Sequence, residues 1–142
     1  ADLLWTIKPG NDAWEVLLAK MQRYASDLFD SLEIRYDIDF PEQVSLKKLG
    51  MEQRQHFWLI FKEIVNNIAK HANTDYVHIE LLIHGRVIEL QVQDRGTGFN
   101  RQSMADSYGI KNIYQRTAKL GGAAKLDTAP GKGTKWSLKF SA

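Results

Sequence analysis

FWLIFKEIVNNIAKHA, residues 57–72, followed closely by DYVHIELLIHGRVIELQVQDRGTGF, residues 75–99, decides the fold. In the first stretch Phe57, Ile60, Phe61, Ile64, Val65, Ile68 and Ala72 recur at helical spacing and make one wide apolar face. Glu63, Asn67 and Lys70 follow at i, i+4 and i+7 on a neighbouring stripe. A helix of this kind buries one face in a core and turns a polar edge into a cleft. In the second stretch Val77, Ile79, Leu81 and Ile83 alternate with polar positions, as in a half-buried strand. His84-Gly85 marks a hairpin turn. Ile88, Leu90 and Val92 alternate on the return strand, which ends at Asp94.

Outward from this centre the elements are short and well punctuated. The helix starts near Leu46 or Met51. Before it, Ile34, Tyr36 and Ile38 alternate with Arg35, Asp37 and Asp39 as a strand that Pro41 ends. Trp14, Leu17, Leu18, Met21, Tyr24, Ala25 and Leu28 predict an earlier helix, with Asn11 or Asp12 as its N-cap. Residues 1–10 read as the end of a preceding element and a Pro9-Gly10 turn. Downstream, residues 95–108 lack apolar periodicity and read as a loop. A short helix from Gly109 carries Ile110, Ile113, Tyr114 and Leu120 and stops at Gly121-Gly122. Strands at about 123–128 and 134–140 flank a Pro130–Gly133 turn, with Trp136, Leu138 and Phe140 toward the core. The order helix, strand, helix, hairpin, helix, hairpin implies an α/β domain with one mixed sheet covered by helices on one face.

Composition agrees with a single globular domain. The chain has 142 residues, 44% hydrophobic and 25% charged. No apolar run approaches the ~18 residues needed to span a bilayer. The net charge is +2 and the basic residues are dispersed, which argues against a nucleic-acid surface. With no cysteine, disulfides, thiol nucleophiles and thiolate metal sites are excluded. The chain begins at Ala1, without Met or a signal-peptide pattern, and reads as a piece of a longer polypeptide.

The chemistry lies in four places. Asn67 offers an amide oxygen suited to Mg²⁺, which takes few ligands from protein. Glu63, one turn earlier, can hold a metal water or accept a proton, and Lys70 can neutralise phosphate. Alone, that stripe is equally compatible with a solvated helix edge. Asp94 can accept from the exocyclic amine of adenine, with Gly96 and Gly98 letting backbone approach the base. Alone, Asp-Arg-Gly is also an ordinary exposed turn. Gly109 opens a helix whose free amides suit phosphate oxygens. Gly131-Lys132-Gly133-Thr134 is a hairpin turn, functional only if Thr134 reaches the base pocket.

Taken together and in this order, these segments resemble the Bergerat ATP-binding fold of the GHKL superfamily. Residues 63–72 resemble its N box, Asp94–Phe99 its G1 box, Tyr108–Ile113 its G2 region and Gly131–Thr134 its last glycine motif. The likeness covers about residues 34–141. It implies a two-layer α/β sandwich of a mixed, mainly antiparallel sheet with about three helices on one face. The Lys70-His71-Ala72 ending, Gln115-Arg116-Thr117 and Leu120-Gly121-Gly122 are similar to sensor histidine kinases of the nitrate- and membrane-fluidity-sensing subgroup. Leu4–Pro9 resembles the end of a dimerisation helix. The expected division is therefore a helix end and linker at residues 1–10 and a catalytic ATP-binding domain at 11–142.

The resemblance implies transfer of the ATP γ-phosphoryl group to a histidine on a dimerisation helix outside this chain. By position, Asn67 matches the Mg²⁺ ligand and Glu63 the N-box glutamate, while Lys70 and His71 match phosphate-side residues. Asp94 matches the adenine-reading aspartate, with Gly96 and Gly98 beside it. Gly109 matches a lid glycine and Thr134 a residue near the base. Implied cofactors are ATP and Mg²⁺. Implied partners are the parent's dimerisation helices in a homodimer and a response regulator, with no nucleic acid. The implied setting is a cytoplasmic domain of a membrane-anchored parent. Ser107-Tyr108-Gly109 departs from the family by lacking a second glycine two residues before Gly109. His56, His78 and His84 read as structural or solvated, not as phosphoacceptors. Two other readings are an anti-sigma-factor-type serine kinase and a non-catalytic GHKL binding module.

Overall fold

The computed structural model describes residues 14–42, 44, 49–71, 73–97 and 108–142. The 1–10 segment, the Asn11 or Asp12 cap, the Leu46 start, Ala72, Gly98 and the 100–107 loop lie outside the described residues.

In chain order the elements are α1 (Trp14–Ser31), β1 (Arg35–Asp39), α2 (Met51–His71), β2 (Tyr76–His84), β3 (Val87–Asp94), α3 (Tyr108–Lys119), β4 (Ala123–Thr128) and β5 (Thr134–Ser141). The five strands form one sheet in the order β1-β2-β3-β5-β4. Only β1 and β2 run parallel, joined across α2; the other neighbours are antiparallel. This is the mixed, mainly antiparallel sheet expected.

Period-two patterning decides which sheet face is covered. Val77, Ile79, Leu81, Ile88, Leu90, Val92, Trp136, Leu138 and Phe140 are buried, whereas their neighbours in sequence are half-buried or exposed. All nine belong to one core with the apolar faces of the helices. Phe57 of α2 meets Phe140 edge-on at 5.0 Å, and Trp14 of α1 meets Phe57 at 6.4 Å.

Helix ends explain where the chain turns. After α1, Glu33 takes a left-handed φ of 59°, with Glu33 N–H donating to Asp30 O and Ile34 N–H to Phe29 O. That is a Schellman closure with a non-glycine residue at its left-handed position. α3 closes the same way at Gly121, φ 74°, through Gly121 N–H to Ala118 O and Gly122 N–H to Thr117 O.

Two packing details differ from the periodic reading. Phe29 is fully buried and extends the Ala25 stripe by one turn, while Leu28 is only half-buried. Tyr114, grouped with the apolar residues of its helix, is 38% exposed and lies tilted across Trp136 at 5.8 Å. Thr117 occupies the buried place instead, its hydroxyl donating to Ile113 O four residues back.

Of the histidines, His56 sits between α2 and α3, with Arg116 Nη1 3.3 Å from its Nδ1 and Glu52 on its other side. Burial, then Arg116 and Lys119, push its pKa down. His78 pairs with Asp37 on the open face of the sheet, and His84 is exposed at a strand end.

Candidate nucleotide site

The described site residues form two groups. The first lies where α2 meets the start of α3. Glu63 and Asn67 are half-buried on adjacent turns of α2, and Gly109 abuts both. A Cβ at Gly109 would stand 2.8 Å from Glu63 Oε1 and 3.1 Å from Asn67 Oδ1. The carboxylate and the amide thus converge on the first turn of a 12-residue helix, the end of the helix dipole that favours negative charge. Asn67 Nδ2 is buried with no hydrogen-bond partner among the described residues. Lys70 and His71 follow on the last turn of α2, both exposed.

Gly109→Ala tests this contact. Both crowded atoms end movable side chains, and alanine is the better helix former, so melting should hold or rise slightly. Because Glu63 and Asn67 must move aside, MgATP affinity should fall about tenfold by calorimetry, roughly one lost hydrogen bond.

The second group lies at one end of the sheet. Register places Val77, Asp94, Thr134 and Thr128 in one row across β2, β3, β5 and β4. Asp94 continues the inward parity of Leu90 and Val92 and is 2% exposed; Thr134 continues that of Trp136 and is 3% exposed. A carboxylate therefore stands where an apolar side chain would continue the core. Gly96 N–H donates to Asp94 Oδ1 at 2.7 Å, whereas the buried Oδ2 has no partner among the described residues. Burial raises the Asp94 pKa, and the amides of Gly96 and Thr134 partly oppose the rise.

The surrounding turns hold this carboxylate still. Gly131 N–H bonds to Thr97 O, clasping the 130–133 turn onto the segment after Asp94. Thr74 Oγ1 accepts from Arg95 N and Tyr76 N and donates to Tyr76 O. The Arg95 guanidinium stacks on Tyr76 at 4.6 Å, with Arg35 also within 5.8 Å of that ring. Sequence reasoning missed Thr74, Tyr76 and Thr128. Only the alternation of Thr128 with Leu126 could have placed Thr128 on the inner face.

Among the expected site residues, then, Glu63, Asn67 and Gly109 come together, as do Asp94, Gly96 and Thr134. No described contact joins Lys70 or His71 to either group, and Gly98 lies outside the described residues. No group of three or more metal-ligating acids or histidines occurs among the described residues.

The sequence profile of the histidine kinase-, DNA gyrase B- and HSP90-like ATPase family matches residues 52–142. The chain belongs to this family. It is an ATP-binding domain of that type. Among its relatives is the sensor histidine kinase YhcY of Bacillus subtilis, 32% identical over 140 residues, covering 97% of this chain and 35% of YhcY. The sensor histidine kinase LiaS of the same organism is 28% identical over 115 residues, covering 80% of this chain and 32% of LiaS. The domain thus spans about a third of the length of each of these relatives. The histidine kinase domain of the Erythrobacter litoralis EL346 blue-light activated kinase superimposes with a TM-score of 0.74 over 92% of this chain and 64% of that one, at 17% identity. Acinetobacter baumannii AdeS gives 0.71 over 90% of this chain and 64% of its own, at 12% identity. At these identities the two structures establish the shared fold. No described helix of the domain is long and apolar enough to cross a membrane.

Proposed function

We propose that the chain is the catalytic, ATP-binding domain of a sensor histidine kinase and transfers the γ-phosphoryl group of ATP to a histidine on a separate dimerisation helix. In that step an imidazole nitrogen attacks the γ-phosphorus in line. The bond from phosphorus to the β–γ bridging oxygen breaks, and ADP leaves with the electron pair. Such catalysis is mainly positioning and charge stabilisation. The observation that carries this reading is Asp94, a buried carboxylate pinned at Oδ1 by Gly96 and with Oδ2 unpartnered among the described residues. It has the form of an acceptor held for a ligand's amine.

Under this reading Asp94, Gly96, Gly98 and Thr134 hold the base. Glu63, Asn67 and Gly109 lie on the phosphate side, with Lys70 and His71 at its edge. The donor set fits Mg²⁺: one amide oxygen beside helix amides leaves the remaining positions to phosphate and water, as that ion prefers. When bound, Mg²⁺ offsets phosphate charge; Asn67 supplies the oxygen that holds it. Glu63 can orient or deprotonate a neighbouring group. The partners proposed are the parent's dimerisation helices and a response regulator, in a homodimeric, membrane-anchored parent whose catalytic domain faces the cytoplasm. YhcY and LiaS, both named sensor histidine kinases, favour this over a serine kinase or an inert binding module.

Thermal unfolding with nucleotide tests the reading. MgATP at a hundredfold excess over Kd should stabilise the domain by about 2.7 kcal/mol, a rise of several degrees in melting. Excess EDTA should shrink that rise. A melting curve unmoved by millimolar MgATP would remove the ATP assignment.

A further inference from the structure

Two contacts of the Thr128 hydroxyl, at the end of β4 and β5, fix the direction in which Thr134 can hydrogen-bond. Thr128 and Thr134 are cross-strand partners, and Thr134 is in turn the partner of Asp94. Thr128 Oγ1 lies 3.0 Å from Gly133 O and 3.1 Å from Thr134 Oγ1. A carbonyl has no proton to give, so Thr128 is the donor to Gly133. A hydroxyl has a single proton. With that proton on Gly133 O, the contact between the two hydroxyls has Thr134 as donor and Thr128 as acceptor. Thr134 Oγ1 then offers only lone pairs to anything else that reaches it. Asp94, when ionised, is likewise acceptor-only. Two adjacent groups on the inner face of the sheet therefore accept, and neither donates.

We propose that Thr128 is a positioning residue that turns the Thr134 hydroxyl proton away from the base, so that Asp94 and Thr134 together select a purine bearing an exocyclic amine over one bearing a carbonyl in its place. The inference rests on the base lying against Asp94, as proposed above. An amine has protons for both acceptors. A carbonyl there would face lone pairs on both sides and leave three buried acceptors unsatisfied, which is where hydrogen-bonding sites discriminate most strongly. Without the Thr128 oxygen, Thr134 would be free to rotate and donate to that carbonyl.

The test is calorimetric titration of the 142-residue chain with MgATP and with MgITP, which differ in this group. Wild type should favour MgATP. Thr128→Val, which keeps shape but not the hydroxyl, should cut the ATP-to-ITP preference about tenfold, the scale of one hydrogen bond, and Thr128→Ser should restore it. Thr134→Val should lose preference as well, and adding Thr128→Val to it should change nothing more, because the first residue acts through the second. If Thr128→Val does not fold, Thr128→Ala carries the same comparison. A folded hydroxyl-free variant that weakens both nucleotides equally, or neither, would overturn the role of Thr128 while leaving ATP binding in place. A wild-type chain that binds no MgATP would instead sink the function proposed above, and this inference with it.

Discussion

Asp94→Asn is expected to lose at least about a hundredfold in MgATP affinity, the scale of a charge-assisted hydrogen bond, without destabilising the empty domain. The geometry decides which way the new amide points. Gly96 N–H donates to Oδ1 at 2.7 Å, so the asparagine must keep its oxygen there. Its NH₂ then falls at Oδ2, the position without a partner among the described residues. A donor replaces an acceptor and meets the donor amine of adenine. The same variant should gain relative affinity for MgITP, whose carbonyl matches that donor. Calorimetry with both nucleotides reads the two effects separately. Unchanged MgATP affinity would remove Asp94 from the base pocket.

Stability should move the other way. Burial holds the Asp94 pKa above its ordinary 3.8. Between the unfolded and folded values the native state binds more protons than the unfolded state, so this group's contribution is fully present at low pH and is lost as pH rises through the folded pKa. At neutral pH the buried carboxylate therefore costs stability, and asparagine, which carries no charge, removes that cost. Wild type without nucleotide should lose stability over this window relative to Asp94→Asn. Urea denaturation of both proteins at pH 4 and pH 7 checks the sign: the gap should favour the variant more at pH 7. A site that gains stability when its key residue is replaced is one held in tension for a ligand.

The fold was largely legible because its signals are local and periodic. The alternation of Val77, Ile79 and Leu81 with polar neighbours, then of Ile88, Leu90 and Val92, is enough to specify a hairpin with one buried face. The apolar stripe of α2 specifies the helix that covers it. The relation of Glu63 to Asn67 was legible for the same reason, being a matter of helical pitch. Their approach to Gly109 depends on how two helices pack, which no spacing along one of them encodes. Tyr114 shows the limit of periodicity. Position 114 lies one turn after the inward Ile110 and so beside it in projection, yet the ring is large enough to reach Trp136 from the rim and stay 38% exposed. Thr128 marks another limit. It is six residues from Thr134 along the chain but directly opposite it across β4 and β5, and its importance lies in hydroxyl direction, which sequence does not carry. Asp94 was suspected from its place at the end of a strand. Its inward parity, which makes it a buried acceptor and not a solvated turn residue, was already present in the alternation that precedes it.

Gly133→Ala should be among the most damaging single-methyl changes in the domain, and comparison with Gly131→Ala isolates why. Both glycines sit in the same turn with left-handed φ, 77° at Gly131 and 74° at Gly133. An alanine at either must adopt a conformation that costs an L-residue roughly 1 kcal/mol. At Gly131 a Cβ would meet nothing within 4 Å, so the loss should stop there. At Gly133 the Cβ would stand 2.6 Å from Asp94 O and 3.5 Å from Arg95 Cα. These are backbone atoms and cannot swing aside, so β5 must move away from β3, adding about 1–3 kcal/mol of overpacking strain. The total of about 2–4 kcal/mol is a large share of a typical domain's stability, and chemical denaturation should resolve it from the Gly131 variant. The strand displacement also separates Asp94 from Thr134, which are partners across that junction. Gly133→Ala should therefore lose most of the melting rise on MgATP addition even at temperatures where it is folded, whereas Gly131→Ala keeps it. Equal losses in the two variants would mean that φ alone governs the turn, and that the close approach of Gly133 to Asp94 has no part in holding the site.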